Sequence, residues 1–228
     1  SRMLRMLQGD VGSGKTLVAH ALHAVGARAG KRFVTVSCAA FEENTLVRRL
    51  FGPVQPEDPG LPAVEEARGG TLVLEDIEAL PESVQARLLT FVNEEGTPPE
   101  TRIVAISNMQ DEGHTCEDAL RPDLFYRLAS LRITVPPLRA RGEDILTLFT
   151  RFTEQFAEDY GCEAPQVSAQ EATQLLQAPW PGNVRQLFNI AERAVLQARR
   201  GTGTLTSLLM SDHQDMQPVM TTEGKPLK

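Results

Sequence analysis

Short apolar runs alternate with longer amphipathic stretches over the first 138 positions of the chain. "RMLQ", "RFVTVS", "TLVLED", "RIVAIS" and "LRITV" are rich in aliphatic and β-branched side chains, and runs of this length predict strands. "KTLVAHALHAVGA" and "SVQARLLTFVNE" repeat their apolar residues at helical spacing. Strand and helix alternating in this rhythm predict an α/β domain over residues 1–138, a mostly parallel sheet with helices on both faces. From residue 139 the β signal stops. "EDILTLFTRFTEQFAEDYG" and "NVRQLFNIAERAVLQAR" are amphipathic helices. Between them "SAQEATQLLQ" opens with Ser168 and Glu171 at capping-box spacing. A small all-helical domain is therefore expected over 139–200. The stretch 201–228 is polar, rich in Thr and Met, and is expected to be a tail that frays after residue 211.

Composition narrows the classes. The chain has 228 residues, 41% hydrophobic and 23% charged, enough apolar side chain for a large and a small core. A net charge of −7 excludes a general electrostatic pull toward nucleic acid and leaves only a local basic patch. Cys38, Cys116 and Cys162 are odd in number and far apart. That reads as reduced thiols of a cytoplasmic protein, not a disulfide frame or a zinc site. No apolar run approaches the roughly 18 residues of a membrane span, and no membrane partner is expected. His20 and His23, three residues apart without a third ligand, read as a surface face. His114 and Cys116 fall in a polar loop without evident chemistry.

One motif carries chemistry without ambiguity of spacing. "GDVGSGKT", that is Gly9, Asp10, Val11, Gly12, Ser13, Gly14, Lys15 and Thr16, fits G-x-x-x-x-G-K-[ST] between an apolar run and a helix. Gly12 and Gly14 let backbone N–H groups curl round phosphate oxygens without a clashing Cβ. The following helix points its positive end at the phosphates. Lys15 reaches the β- and γ-phosphates, and Thr16 offers a hydroxyl to magnesium. A Gly-rich turn of no function would leave the Lys-Thr pair unexplained. About 60 residues on, "LVLED" ends in Glu75 and Asp76. Beside a phosphate loop, the first acid is expected to hold Mg2+ through a water and the second to lie nearest the attacking water. Alone, the pair would read as solvated acids at a strand end.

With these motifs in place the chain resembles the AAA+ ATPase domain of the bacterial enhancer-binding proteins, the sigma-54-dependent transcription activators of the nitrogen-regulator type. The resemblance runs from about residue 7 to 198 and rests on "GDVGSGKT", "FVTVSCAAFEENTLVRRLFG", "ARGGTLVLEDIEALP", "LRPDLFYRL", "PPLRARGEDI" and "APWPGNVRQLFNIAERAV". It implies a P-loop fold with a helical lid, ATP or ADP with Mg2+ as cofactors, and self-assembly into a hexameric or heptameric ring from a dimer at rest. It also implies contact with RNA polymerase or its sigma factor, and with DNA through a separate domain. Residue by residue, Asn108 falls at the first sensor, where a carboxamide can bond the γ-phosphate or the attacking water; a turn-forming Asn is the competing reading. Arg121 and Arg127 match the two arginines presented to a neighbouring subunit's ATP, a task suited to a permanently charged fork; surface arginines on a helix are the alternative. Arg185 matches the second sensor, aimed by the turn Trp180-Pro181-Gly182. Leu17 and Ile145 match positions against adenine, with core packing as the alternative.

The departures from the family pattern carry equal weight. Glu75-Asp76 reverses the family's Asp-Glu. The Gly-Ala-Phe-Thr-Gly-Ala loop that touches sigma-54 is replaced by "PVQPEDPGLPA", and the hairpin-like insertion before "TRIVAISN" is cut to "TPPE". Slow ATP hydrolysis by a transcription-regulator domain, with a weakened sigma-54 contact, is the expectation. The alternative is a nucleotide-gated oligomerisation module that acts on another polymerase form with little or no hydrolysis.

Overall fold

The computed structural model describes residues 4–52, 61–93, 101–108, 116–201 and 204–209. The chain separates into two units, Ser1–Pro137 and Leu138–Lys228.

In the first unit five strands form one sheet: β1 Leu4–Gly9, β2 Phe33–Ser37, β3 Thr71–Glu75, β4 Arg102–Asn108 and β5 Arg132–Thr134. Their order is β2-β3-β4-β1-β5, and every pairing is parallel. The apolar runs are nearly continuous because both faces are covered. Side-chain parity then sorts each strand. Met6, Leu72, Leu74, Ile103 and Ala105 enter one core, while Leu7, Val73, Val104 and Ile106 enter the other. The first core is closed by α2 Glu43–Phe51, α3 Ala63–Glu66, α4 Glu82–Asn93, α5 Cys116–Ala119 and α6 Pro122–Leu128. The second is closed by α1 Lys15–Ala24 through Val18, Ala19 and Leu22. The chain thus leaves β1 toward one face and β4, its neighbour, toward the other. Their carboxyl ends bound a crevice, the place where open α/β sheets bind ligands.

The second unit is helical. It contains α7 Gly142–Tyr160, α8 Ala169–Gln177 and α9 Asn183–Arg200. Ile145, Phe149, Phe156, Trp180, Leu187 and Ile190 lie in its core. The expected capping box at α8 is present: the Glu171 N–H donates to Ser168 Oγ at 3.3 Å, and the Ser168 N–H donates to Glu171 Oε2 at 3.0 Å.

Four expectations change. The helix after the P-loop closes at Ala24 rather than running to Ala27. The helical unit does not end at residue 200. Leu205, Leu208 and Leu209 are buried in its core, and a fully buried leucine contributes roughly 1.5–3 kcal/mol, enough to draw a polar segment onto the domain. Residues from 210 onward, and with them the expected fraying, lie outside the described residues. His23 is not on a surface face; it is 7% exposed, with Nδ1 3.0 Å from Thr71 Oγ1, while His20 stacks on Phe33. Cys116 is not in a loop but buried at the start of α5. All three cysteines are free. Among the described residues no helix is long and apolar enough to cross a membrane, and no cluster of His, Cys, Asp and Glu could by itself hold a metal ion.

Candidate functional site

The crevice is built from strand ends. In parallel register Ser37 pairs with Glu75, and Gly9 pairs with Asn108 two residues further along, since Leu74 pairs with Ala105; the carboxyl-terminal residues of β2, β3, β4 and β1 thus gather at the same end of the sheet. The P-loop leaves β1 at Gly9, where a Cβ would stand 2.4 Å from the carbonyl oxygen of Val135; only glycine passes that neighbour. Gly12 and Gly14 have φ of 75° and 95°, the left-handed region that glycine enters without a steric cost. Gly14 caps α1, so the loop hands its backbone directly to a helix N-terminus.

Lys15, the first residue of α1, is only 6% exposed. Its ammonium donates to the carbonyl oxygens of Gly9 and Asp10, each at 2.8 Å. Ser13 is buried in the same loop, whereas Val11 and Leu17 are exposed. Thr16 Oγ1 donates to Glu75 Oε1 at 2.5 Å. Residues 59 apart in sequence, a hydroxyl and a carboxylate that are both hard oxygen ligands, therefore meet at the mouth of the P-loop. That donor set fits a magnesium ion, and the cradle of left-handed glycines fits a phosphate chain.

Asp76 has a different geometry from Glu75. The strand ends at Glu75, and Asp76 turns to φ 53°, ψ 48°. Aspartate tolerates this left-handed conformation better than most residues. Both its oxygens are engaged: Oδ1 accepts from Asn108 Nδ2 at 2.8 Å, and Oδ2 accepts from Ser37 Oγ at 3.0 Å. Asn108 is held twice, since its backbone N–H also donates to Glu78 Oε1 at 3.0 Å. Glu78 lies in the short 3-10 turn Ile77–Ala79, and its second oxygen is buried without a hydrogen-bond partner among the described residues. The buried Cys38 sits behind this group. Burial first, then the charges of Asp76, Glu78 and Glu75, push its thiol up to about 12, so it is a packing residue and not a nucleophile.

The two arginines lie at opposite ends of α6. Arg121 caps its N-terminus and Arg127 stands in its last turn. Leu124, Phe125 and Leu128 pin the helix to the core from below. Arg121 Nη2 and Nε donate to Asp123 Oδ2 and Oδ1 at 3.0 and 3.2 Å; the hydrogen bond raises the Arg121 pKa and lowers that of Asp123. The pair is exposed to solvent, which screens it. The Arg127 guanidinium is exposed.

In the helical unit Arg185 is exposed in the first turn of α9. The expected turn before it is built from Trp180 and Gly182. Trp180 takes φ 47° while its indole is buried and donates to the Leu175 carbonyl at 2.8 Å. The Gly182 N–H donates to Gln186 Oε1 at 3.0 Å. Ile145 is fully buried in the core of this unit, the packing alternative to an adenine contact.

Three residues that sequence reasoning passed over join these groups: Ser37, Glu78 and Gln85. Ser37 had a signal in its position at the carboxyl end of an edge strand. Glu78 lies three residues beyond Glu75, and its meeting with Asn108 depends on the turn at Asp76. Gln85 sits on the apolar stripe of α4 with Leu88 and Val92, and a polar residue on a core stripe is itself a signal.

The chain matches two family models. Residues 1–134 match the family model described as "Sigma-54 interaction domain", and residues 139–224 match "AAA+ ATPase lid domain". The chain is 36% identical over 203 residues to the alginate biosynthesis transcriptional regulatory protein AlgB of Pseudomonas putida, covering 83% of this chain and 45% of that protein. It is 37% identical over 221 residues to the DNA-binding transcriptional regulator NtrC of Klebsiella pneumoniae, covering 91% and 47%. Among solved structures, NtrX of Brucella abortus in complex with ATP aligns with a TM-score of 0.81 at 32% identity, covering 98% of this chain and 52% of that one. The chain spans about half the length of the curated relatives it matches. The chain belongs to the sigma-54 interaction domain family, the ATP-binding AAA+ domains of sigma-54-dependent bacterial enhancer-binding transcriptional activators.

Proposed function

We propose that this domain binds ATP or ADP at Gly9–Thr16, hydrolyses ATP slowly, and works as a ring in which each subunit supplies arginines to its neighbour's nucleotide. The observation that carries the reading is the 2.5 Å hydrogen bond from Thr16 to Glu75, because it unites the P-loop hydroxyl and the strand-end acid that a nucleotide-bound magnesium ion needs. When bound there, that ion would offset negative charge on the phosphates.

The chain's own residues take the remaining tasks. The P-loop N–H groups and the α1 N-terminus receive the phosphates. Lys15 already spans the loop and reaches the β- and γ-phosphates by exchanging carbonyl partners for anionic ones, a charge-assisted and therefore stronger bond. Asp76 orients the attacking water, and Asn108, bonded to it, positions both. Arg121 and Arg127 stabilise charge on the γ-phosphoryl group of the adjacent subunit. Arg185 is the second sensor in the lid. Leu17, exposed on α1, is a side chain available to a base. The likeness to NtrX solved in complex with ATP and with ADP supports nucleotide binding at this site.

A steady-state ATPase assay across protein concentration tests the reading. Activity per subunit should rise as rings assemble. A Lys15→Ala chain, deprived of its phosphate cation, and an Arg127→Ala chain should each be inactive alone and partly active when mixed, because arginines of this kind contribute on the order of 10³ to 10⁵ in rate. Activity that is flat on dilution, with no complementation, would assign the whole site to one chain. A second reading, a nucleotide-gated assembly module without turnover, draws on the engagement of both Asp76 oxygens by Ser37 and Asn108; ring formation with no phosphate release would favour it.

A further inference from the structure

We propose that Gln85 is a positioning residue for hydrolysis, fixing the arginine-bearing helix to the turn that follows the acids. It rests on the reading that Arg121 and Arg127 act on a neighbour's nucleotide.

Gln85 is a polar residue on the buried stripe of α4, 4% exposed. Its carboxamide pairs with the stretch between α5 and α6 as a peptide group would. Nε2 donates to the Ala119 carbonyl at 3.1 Å, and Oε1 accepts the Arg121 N–H at 2.7 Å. Nε2 also donates to the Leu80 carbonyl at 2.9 Å. Both amide donors of the side chain are thereby used. Leu80 directly follows the 3-10 turn that carries Glu78, and Glu78 receives the N–H of Asn108. One buried side chain therefore ties the acid turn to the backbone of Arg121, on the inner side of the helix whose outer side presents the two arginines.

The chemistry selects glutamine there. Leu120 between the two tied backbone groups is buried, so water cannot easily replace the amide. An isosteric apolar residue would leave one N–H and two carbonyls without that partner in the core. Such groups move until they find others. Arg121 is the N-cap of α6, and a shift of its backbone carries the whole seven-residue helix, Arg127 included. A misplacement of about 1 Å in a group that acts on the reacting phosphate costs roughly 100-fold. A residue that only filled space in α4 would have no such reach.

The experiment uses the complementation pair with the 228-residue chain. Gln85→Met is placed either in the Lys15→Ala subunit, which donates arginines, or in the Arg127→Ala subunit, which carries the working nucleotide site. In the donor, kcat of the mixture should fall roughly 10- to 100-fold, scaled from the cost of an ångström's displacement, with KM for ATP unchanged. In the acceptor, the loss should be several-fold smaller. Gln85→Glu keeps the oxygen that receives the Arg121 N–H but sets a second oxygen against the Leu80 and Ala119 carbonyls, and it should show the same larger loss in the donor than in the acceptor. Should the Met chain not fold, the Glu chain carries the same comparison of donor with acceptor. Equal losses in both positions, or none, would overturn the proposal and make Gln85 a structural residue. If the pair fails to complement before any change at Gln85, the shared-site reading itself falls and the proposal with it.

Discussion

At the scale of single residues the reversed acids are the most informative feature. Sequence alone makes Asp76 a shortened Glu, drawn back by one methylene. The structure adds that its backbone is left-handed at φ 53° and that the carboxylate is held by Ser37 and Asn108. Two effects then compete in a Glu75→Asp, Asp76→Glu double variant. The longer acid reaches the water better, and an ångström of reach can be worth about 100-fold in rate. The same change places a residue less tolerant of left-handed backbone at position 76, at a cost of up to about 1–2 kcal/mol. Faster turnover with a lower melting temperature is the expected outcome, measured by steady-state ATPase and thermal unfolding with nucleotide affinity as control. Turnover slower than in the natural chain would mean that Ser37 and Asn108 have set the geometry for the shorter acid.

At the scale of elements, α8 offers a clean test because its cap is exposed and lies in the helical unit. Ser168→Ala removes the acceptor of the Glu171 N–H and should cost about 1 kcal/mol, the usual worth of an N-cap. The loss should appear as faster amide exchange in α8, with β1, β3 and β4 unchanged. The same cap gives a pH dependence. The Ser168 backbone N–H, and then its hydroxyl, lower the Glu171 pKa below its usual 4.5. Its contribution is therefore complete above the unfolded value and is lost as pH falls through the lower folded one. Exchange in α8 should accelerate on acidification below about 4.5 in the natural chain, and less so in Ser168→Ala. Other elements show the reverse balance of local and tertiary control. The five strands were legible as apolar runs, whereas α2, α5 and α6 are short and depend on packing against the sheet for their existence.

At the scale of the whole molecule, the proposed ring requires a target. Family membership implies contact with sigma-54 polymerase. The segment expected to make it, "PVQPEDPGLPA", has four prolines, two acids and no aromatic residue; positions 53–60 lie outside the described residues. Proline fixes φ and limits the motion such a loop needs. The two acids would also repel DNA near a promoter. We expect that this domain, fused to a suitable DNA-binding domain, will not open a sigma-54 promoter complex in a purified transcription assay with hydrolysable ATP. Open complexes above background would show that the family's Gly-Ala-Phe-Thr-Gly-Ala loop is dispensable and would return the chain to the ordinary activator role.

Sequence by itself determined the features that depend on local spacing. The P-loop is one, because its glycines, lysine and threonine act within eight consecutive residues. The parallel α/β alternation and the α8 capping box are others. Only the tertiary structure decided what meets across distance. It brought Thr16 to Glu75, tied Asp76 to Ser37 and Asn108, and turned Gln85 from an anomaly on an apolar stripe into a link between Leu80, Ala119 and Arg121. It buried His23, which helical spacing had assigned to a surface face, and it drew Leu205, Leu208 and Leu209 into a core that composition had ended at residue 200. The physical reason is common to these cases: a local pattern fixes backbone conformation, but burial and the pairing of polar groups depend on which elements meet in space. For the strand ends that is set by the order β2-β3-β4-β1-β5, which no local pattern encodes.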